Sequence, residues 1–320
     1  MPDLAVIVVT WNVRELALNA LNSLYADLDG HGPAQTQVYV VDNASSDETV
    51  SAVASAFPQV HLIASDHNLG FGGANNLALR AIGFGSQPSD QLPRAVYLLN
   101  PDTLTQPGAT CMLFDALMRE PCLGLVGARL DYGDGRFQHS SFRFPGLQQL
   151  WVEFFPTPGR LYESSFNGRY PRHLYDSAQS FAIDFPLGAT MMLRREVIEQ
   201  TGGFDEGYFM YCEEIDWAWR IHDAGWEVKC VPAARVTHLE GQSTGQVRPQ
   251  SVINLWRSRL RLYDQHYPAW KAGIARWMIR LGMERRLRAL RQDNALPADQ
   301  RAALLAAYAE VQGMARRRGA

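Results

Sequence analysis

The stretch Ala95–Thr103, Ala-Val-Tyr-Leu-Leu-Asn-Pro-Asp-Thr, constrains the fold of this chain more than any other. Its apolar run is typical of a buried parallel strand. Pro101 lacks the N–H that a central strand donates, so the strand must end before it. Asp102 therefore follows the carboxyl end of a strand, where open α/β sheets bind ligands. A carboxylate there can hold a divalent cation against a phosphate, although a turn aspartate that caps the next segment fits equally well.

Three earlier apolar runs show the same pattern, namely Leu4–Val9, Val38–Val41 and Val60–Ala64, and each is followed by polar residues that can contact a ligand. Helical spacing of apolar residues separates the runs. The predicted helices are Arg14–Tyr25, Glu48–Ala56 and Leu77–Ile82. Alternating strands and helices at this spacing predict parallel βαβ units, and hence an α/β fold with a Rossmann-like, mostly parallel sheet.

The composition excludes several classes of protein. The 320 residues are 47% hydrophobic and 20% charged, which suits a globular protein with a sizeable core. A net charge of −3 argues against an electrostatic nucleic-acid binder. The four cysteines have no zinc-binding spacing, and no apolar stretch reaches the ~18 residues that span a bilayer. These features predict a cytoplasmic protein with reduced thiols.

The middle of the chain is less regular. Residues 131–180 are rich in aromatic residues, Gly, Pro and Ser, and we expect an insertion that shapes a pocket. Phe181–Leu193 is strand-like and contains Gly188, where the backbone can approach a ligand closely. A further strand is predicted at Val228–Val231, and Val236–Thr237 leads into His238.

The acidic cluster Glu213, Glu214 and Asp216 is the second candidate for chemistry. Carboxylates that are buried together repel one another, and this repulsion and desolvation raise a pKa toward the range of a general base. The alternative is a solvated first helical turn, in which acids complement the helix dipole. His238 can supply a nitrogen ligand to a cation held by Asp102, or it can be a structural hydrogen-bonding residue.

The glycine-rich stretch from Gly70 to Asn75 offers a competing interpretation, a nicotinamide-dependent dehydrogenase. It follows a predicted strand, as a dinucleotide-binding loop must. However, Asn75 occupies the third glycine position, and the stretch follows the third strand rather than the first. Its backbone N–H groups can still contact a phosphate or nucleotide.

The motifs together resemble a known family. In order they are Val8-Val9-Thr10-Trp11-Asn12, Val40-Val41-Asp42-Asn43-Ala44-Ser45-Ser46-Asp47, Asn68-Leu69-Gly70-Phe71, Leu98-Leu99-Asn100-Pro101-Asp102-Thr103 and Glu213-Glu214-Ile215-Asp216. This order resembles the family 2 glycosyltransferases of the GT-A fold, especially bacterial rhamnosyltransferases and galactofuranosyltransferases of cell-surface polysaccharide assembly. The segment from His238 to Thr244 resembles the late histidine motif of that branch. The resemblance predicts a catalytic domain at residues 1–247.

The resemblance implies a role for each matching residue. The implied nucleotide-sugar contacts are Thr10, Asn12, Asp42, Asn68, Gly70, Gly72, Asn100, Asp102 and Gly188, with Asp42 reading the pyrimidine edge. Asp102 and His238 are the implied ligands of Mg²⁺ or Mn²⁺. Glu214 aligns with the catalytic base, and Glu213 and Asp216 are its acidic neighbours. Two departures stand out: Asn100 replaces an aspartate of many relatives, and Glu214 replaces the usual aspartate.

The implied activity is an inverting transfer of a sugar from a nucleotide-diphosphate donor to a hydroxyl group of a cell-surface glycan or lipid-linked acceptor. L-Rhamnose from dTDP-rhamnose is the favoured donor. A galactofuranosyl or hexosyl transferase that uses a UDP-sugar is the alternative. A dehydrogenase and a non-catalytic nucleotide-sugar-binding module are more distant alternatives.

The C-terminal part differs in charge from the rest. Residues 248–291 contain 11 Lys or Arg and two acidic residues. The helices predicted in a basic extension at 248–320 are Ser251–His266, Trp270–Leu290 and Pro297–Gly319. In residues 270–291, apolar residues alternate with arginines, as in helices that lie on anionic membranes. This predicts contact with the inner face of the cytoplasmic membrane; the alternatives are packing on the catalytic domain or a homodimer.

Overall fold

The computed structural model describes residues 2–239, 248–293 and 295–317. The predicted α/β fold is confirmed. The strands are β1 (Leu4–Thr10), β2 (Thr36–Asp42), β3 (His61–Ala64), β4 (Ala95–Leu99), β5 (Thr103–Thr105), β6 (Leu123–Tyr132), β7 (Phe137–Gln138), β8 (Ser141–Phe142), β9 (Phe181–Ala182), β10 (Phe185–Pro186), β11 (Thr190–Arg194) and β12 (Glu227–His238). The helices are α1 (Arg14–His31), α2 (Thr49–Ala56), α3 (Gly70–Ile82), α4 (Ala109–Arg119), α5 (Leu147–Phe154), α6 (Arg172–Asp176), α7 (Arg195–Thr201), α8 (Glu213–Asp223), α9 (Arg248–His266), α10 (Ala269–Gln292) and α11 (Ala298–Met314).

One large sheet carries most of the strands, in the order β3-β2-β1-β4-β11-β6-β12-β5. The pairs β3–β2, β2–β1, β1–β4 and β6–β12 are parallel. Strand β11 runs antiparallel between β4 and β6, and β5 is antiparallel to β12. Strands β8 and β10 form a separate antiparallel pair. The carboxyl ends of β1, β2, β4, β6 and β12 therefore lie at the same edge of the sheet.

The central strands are apolar on both faces because helices cover both. On β1, Ala5 and Ile7 belong to one core cluster, which includes residues of α3. Leu4, Val6 and Val8 point the other way and pack with residues of α1. Every residue of β1 is buried. This two-sided burial explains why the run shows no alternation of polar and apolar residues.

Several sequence predictions about element bounds were wrong: α1 continues past Tyr25 to His31, and the helix predicted at Pro297–Gly319 ends at Met314. Phe181–Leu193 is not one strand, since it divides into β9, β10 and β11, and the second break, at residues 187–189, contains Gly188. The helix predicted from Leu77 begins at Gly70 instead. The first turns of this helix contain glycines because Phe204 packs closely against them. A Cβ on Gly72 would lie 3.0 Å from Cβ of Phe204. The runs at Val228–Val231 and Val236–Thr237 belong to the single strand β12, which has a register shift after Val231.

The C-terminal helices pack against the rest of the chain. Residues of α9, α10 and α11 share a hydrophobic cluster with α5, which includes Phe154, Trp256 and Ile279. Gly282 of α10 is required there, because a Cβ would lie 2.2 Å from the ring of Phe154. The predicted domain boundary at 247/248 adjoins residues 240–247, which lie outside the described residues, and it stays a prediction. None of the described helices has the length and hydrophobicity of a membrane span.

Candidate active site

A cavity of about 490 Å³ lies at the carboxyl edge of the parallel strands. Its walls come from the ends of β1, β4 and β12, the start of α8 and the first turns of α9. The predicted site residues that line it are Thr10, Asn68, Asn100, Asp102, Gly188, Glu213, Glu214 and His238. Asp102 and Glu214 are distant in sequence, and the structure brings both into the wall of this cavity.

Strand pairing brings His238 to Asp102. Thr103 of β5 is the register partner of His238 at the end of β12. The N–H of Leu239 donates to the carbonyl oxygen of Asp102 at 2.8 Å and fixes the two segments together. As a result, Nε2 of His238 lies 3.4 Å from Oδ1 of Asp102. Nδ1 of His238 is 3.3 Å from Oε1 of Gln138, so the ring is held from its other side.

These residues fit a divalent cation. Oδ1 of Asp102 and Oδ1 of Asn100 are both buried, and neither has a hydrogen-bond partner among the residues that the structure describes. A buried oxygen acceptor without a partner is costly, and a bound cation removes that cost. A carboxylate oxygen, an amide oxygen and an imidazole nitrogen are suitable ligands for Mn²⁺, and the oxygens for Mg²⁺. Because Nδ1 of His238 already contacts Gln138, Nε2 is the ring nitrogen that can bind the ion.

The acid pair starts α8 after an unusual turn. Tyr211 and Cys212 both have left-handed backbone conformations, with φ of 70° and 67°. Such conformations are strained for residues with side chains and concentrate at functional sites. Glu214 faces the glycine predicted to line the site, since a Cβ on Gly188 would lie 3.8 Å from Cβ of Glu214. Oε2 of Glu213 is buried and lacks a hydrogen-bond partner in the described part of the chain.

The two acids differ in their titration. Burial raises the pKa of Glu214 to about 7, and hydrogen bonding to the backbone N–H groups at the start of α8 opposes this rise. Burial, together with the charge of Glu214, raises the pKa of Glu213 well above its usual value. Both causes favour the protonated form of Glu213. Glu214 is the member of the pair that can exchange a proton near neutral pH, as a general base must.

The structure does not bring Asp216 into the cavity. This residue is buried, with one oxygen 2.7 Å from Nε2 of His266 and the other accepting from Nε of Arg220 at 2.9 Å. The ring of Trp219 stacks on that of His266. Asp216 thus ties the helix of the acid pair to α9. Sequence reasoning missed His266, because nothing in its local pattern shows a partner 50 residues away.

Asp42 and Asn12 also lie outside the cavity wall. Asp42 is only 2% exposed and accepts from Oγ1 of Thr10 at 3.0 Å and from the N–H of Ser45 at 2.8 Å. The carboxylate thus holds Thr10 in the cavity wall, and the contact of Asp42 with a pyrimidine edge, which the resemblance implied, stays a prediction. Oδ1 of Asn12 accepts from the N–H of Ser46, and Asn12 lines a neighbouring groove.

Gly70 and Gly72 shape the wall rather than line it. Gly70 has a φ of +75°, and a Cβ there would lie 2.1 Å from the carbonyl oxygen of Phe209. Asn43, which was not among the predicted site residues, holds this turn and also lines the cavity. Its Nδ2 donates to Oδ1 of Asn68 at 2.9 Å and to the carbonyl of Gly70 at 3.1 Å. Its position directly after β2 was the available signal.

Comparison with known proteins now identifies the family. The sequence model described as "Glycosyltransferase like family 2" matches residues 2–253. The chain belongs to this family. The glycosyltransferase resemblance is thereby confirmed, and neither the dehydrogenase nor the non-catalytic module is supported.

Curated relatives of this glycosyltransferase include two named rhamnosyltransferases. The "N-acetylglucosaminyl-diphospho-decaprenol L-rhamnosyltransferase" of Mycobacterium tuberculosis is 30% identical over 251 residues, covering 76% of this chain and 79% of that protein. The "Rhamnosyltransferase WbbL" of Escherichia coli K12 is 28% identical over 172 residues, covering 53% of this chain and 60% of that protein.

Solved structures support the GT-A fold of the glycosyltransferase. Mannosyltransferase PcManGT from Pyrobaculum calidifontis, in complex with GDP-Man and Mn²⁺, has a TM-score of 0.52 and 20% identity, with 98% of this chain and 84% of that chain covered. GalNAc-T7, with UDP, GalNAc and Mn²⁺, has a TM-score of 0.58 and 12% identity, with 96% and 54% covered. The predicted fold class is confirmed.

Proposed function

We propose that this glycosyltransferase is an inverting enzyme that moves L-rhamnose from dTDP-rhamnose to a hydroxyl group of a cell-surface glycan or lipid-linked acceptor. The observation that carries the proposal is one cavity lined by the Asp102–His238 pair and by Glu214. The names of the two rhamnosyltransferase relatives support the donor sugar. The name of the Mycobacterium tuberculosis relative supports a lipid-linked acceptor, and we place the reaction at the inner face of the cytoplasmic membrane.

Glu214 is the base in this proposal. Its carboxylate removes the proton of the acceptor hydroxyl group while the hydroxyl oxygen attacks the anomeric carbon. The bond from that carbon to the diphosphate oxygen breaks at the same time, and its electron pair leaves with the diphosphate. Attack from the face opposite the leaving group inverts the anomeric configuration. Burial and the charge of Glu214 favour the protonated form of Glu213, which does not compete for the acceptor proton.

Asp102, His238 and Asn100 hold the donor end. We propose that they bind Mn²⁺ or Mg²⁺, as their unpartnered buried oxygens suggest. A cation bound there supplies positive charge that offsets the negative charge on the departing nucleoside diphosphate. An amide at position 100 contributes no charge to the site, and the imidazole nitrogen favours Mn²⁺ over Mg²⁺. Thr10, with Asp42 behind it, contacts the nucleotide.

The other wall of the cavity is assigned to the acceptor. Gln250, Ser251 and Asn254 of α9 contribute polar groups there, next to aromatic residues of the loop before α8. Oγ of Ser258 donates to the carbonyl oxygen of Met210 at 2.8 Å, which joins α9 to that loop. Because this wall carries hydroxyl, amide and aromatic groups, it suits a sugar.

A hexosyl or galactofuranosyl transferase that uses a UDP-sugar is the second candidate. The "Low-salt glycan biosynthesis hexosyltransferase Agl10" of Haloferax volcanii is 27% identical over 222 residues, covering 69% of this chain and 62% of that protein. Its name supports a broader choice of hexose donor.

Thermal stability measured with candidate donors tests the choice. Each of dTDP-rhamnose, UDP-galactofuranose, UDP-glucose and GDP-mannose is added to the full chain with Mn²⁺. Because a ligand that binds only the folded state stabilises it, we expect the largest rise in Tm with dTDP-rhamnose. A larger rise with a UDP-sugar would favour the second candidate. A rise with NADH alone would contradict the proposed chemistry.

The pKa of Glu214 predicts the pH dependence of the reaction. Only the deprotonated carboxylate accepts a proton, and burial raises the pKa of Glu214 to about 7. We therefore expect kcat/KM to rise with pH up to this value, and to fall about tenfold per pH unit below it. Donor affinity measured at each pH is the control, because it shows whether a change in binding contributes to the change in kcat/KM. A flat kcat/KM from about pH 5 to 8, with constant donor affinity, would contradict the assignment.

A further inference from the structure

An exposed apolar stripe runs along α10. Trp270 is 65% exposed, Ile274 40%, Trp277 58% and Leu281 39%. Their spacing of four, three and four residues places them on one face of the helix, over a length of about 17 Å. Half of the large hydrophobic residues that the structure describes as exposed lie in this stripe. The apolar exposure is therefore concentrated rather than scattered, which marks an interaction surface.

The stripe is not needed to pack α10 in the monomer. The opposite face of the helix, with Ala275, Ile279 and Met283, is fully buried in the cluster shared with α5, α9 and α11. The helix is thus already held by one apolar face. Its second apolar face, which contains two tryptophans, remains exposed in the part of the chain that the structure describes.

Arginines continue the same face. Arg285 and Arg288 follow Leu281 at spacings of four and seven residues, and both are exposed. In all, α10 has seven basic residues and one acidic residue, Glu284, which pairs with Arg288. Exposed Arg280 has no ion pair with a carboxylate among the described residues. The face is therefore apolar toward its beginning and cationic toward its end.

A neighbouring tryptophan extends the surface. The guanidinium group of Arg285 lies over the ring of Phe155, 5.8 Å from its centre. That ring packs against Trp151 of α5, with 4.7 Å between centres, and Trp151 is also exposed. Three exposed tryptophans thus border one basic surface, and tryptophan prefers the headgroup level of a bilayer.

We propose that this face of α10 binds the surface of an anionic lipid bilayer. The apolar stripe enters the boundary between headgroups and acyl chains, and the arginines contact lipid phosphates. Charge complementarity selects this occupant over a second copy of the chain. A symmetric contact would place two faces of the same positive charge together, whereas anionic lipids neutralise that charge.

The placement gives the surface a role, which rests on the proposed function. Helix α10 packs on α9, and the first turns of α9 line the cavity. One helix therefore separates the lipid-binding face from the wall assigned to the acceptor. Binding through this face would hold the cavity close to acceptors that are anchored in the bilayer.

Vesicle flotation of the full chain tests the proposal. We expect it to float with vesicles of phosphatidylcholine and phosphatidylglycerol, to float less in high salt, and to stay unbound with phosphatidylcholine alone. The double variant Trp270→Ser/Trp277→Ser should lower the partition coefficient by about tenfold or more, because the tryptophans supply most of the inserted apolar area. Tyr162→Ser is the matched control, since Tyr162 is a comparably exposed aromatic residue outside α10, and it should bind as wild type does.

The outcomes separate this inference from the proposed function. Equal flotation of the wild type and the double variant, or no flotation of either, would overturn the lipid-binding face. Sedimentation that shows a wild-type dimer, lost in the double variant, would assign the face to a second copy and also overturn it. Tm shifts with dTDP-rhamnose and Mn²⁺ are measured on the same variants. These shifts should be unchanged, because the substituted side chains do not line the cavity.

Discussion

Replacing Glu214 with glutamine is expected to lower kcat by about 10²- to 10⁴-fold while donor affinity stays at the wild-type level. Glutamine has the same shape, but its amide cannot accept the acceptor proton. The loss corresponds to about 2.7 to 5.4 kcal/mol of transition-state stabilisation. Donor affinity should survive because the donor end of the cavity is built from Asp102 and His238. Single-turnover kinetics and a donor-binding titration on the same preparation measure the two quantities.

Glu213→Gln is the matched control, since it makes the same change one residue earlier. Burial favours the protonated form of its carboxyl group, which an amide resembles, so this change should lower kcat far less. A normal kcat for Glu214→Gln with a large loss for Glu213→Gln would move the base to Glu213. Asp216→Asn tests the third acid. A large loss of kcat in Asp216→Asn, without any change in Tm, would indicate that Asp216 acts directly in catalysis. Its pairing with His266 instead suggests a structural role.

The sheet and the edge that carries the cavity could be predicted because both depend on local patterns. Short apolar runs that end in polar residues define strands and their carboxyl ends. Asp102 follows β4 and His238 ends β12, so strand position alone placed them at one edge. The direction of β11 was not predictable in this way, because an antiparallel central strand has the same apolar composition as a parallel one.

Pairings between distant residues could not be predicted. Asn43 and Asn68 bond across the start of α3, and Asp216 meets His266 across two helices. Each partner looks ordinary in its own segment, and the hydrogen bond exists only after the elements pack. The acidic cluster shows the consequence: its spacing predicted raised pKa values, but packing separated Asp216 from the cavity and left Glu213 and Glu214 in it.

Replacing Asp102 with alanine is expected to abolish the stabilisation that donor and Mn²⁺ together give the wild type. For a wild-type complex at 100 times its Kd, that stabilisation amounts to about 2.7 kcal/mol. The variant without ligand should stay close to wild-type stability, because Oδ1 of Asp102 is buried without a hydrogen bond among the described residues and its neighbour, Nε2 of His238, lies 3.4 Å away. Thermal unfolding with and without donor, Mn²⁺ and EDTA measures both effects.

This pair of expectations separates a ligand role from a structural one. If Asp102 merely held the turn after β4, the unliganded variant would lose stability, and the increment from donor and Mn²⁺ would remain. Asp102→Asn is the conservative control, since it keeps an oxygen at the site but removes the charge, and it should retain part of the increment. EDTA should bring the wild type to the level of the alanine variant. If the donor stabilised Asp102→Ala as fully as the wild type, and equally with and without EDTA, Asp102 would not be a cation ligand. Another group would then have to offset the negative charge of the leaving diphosphate.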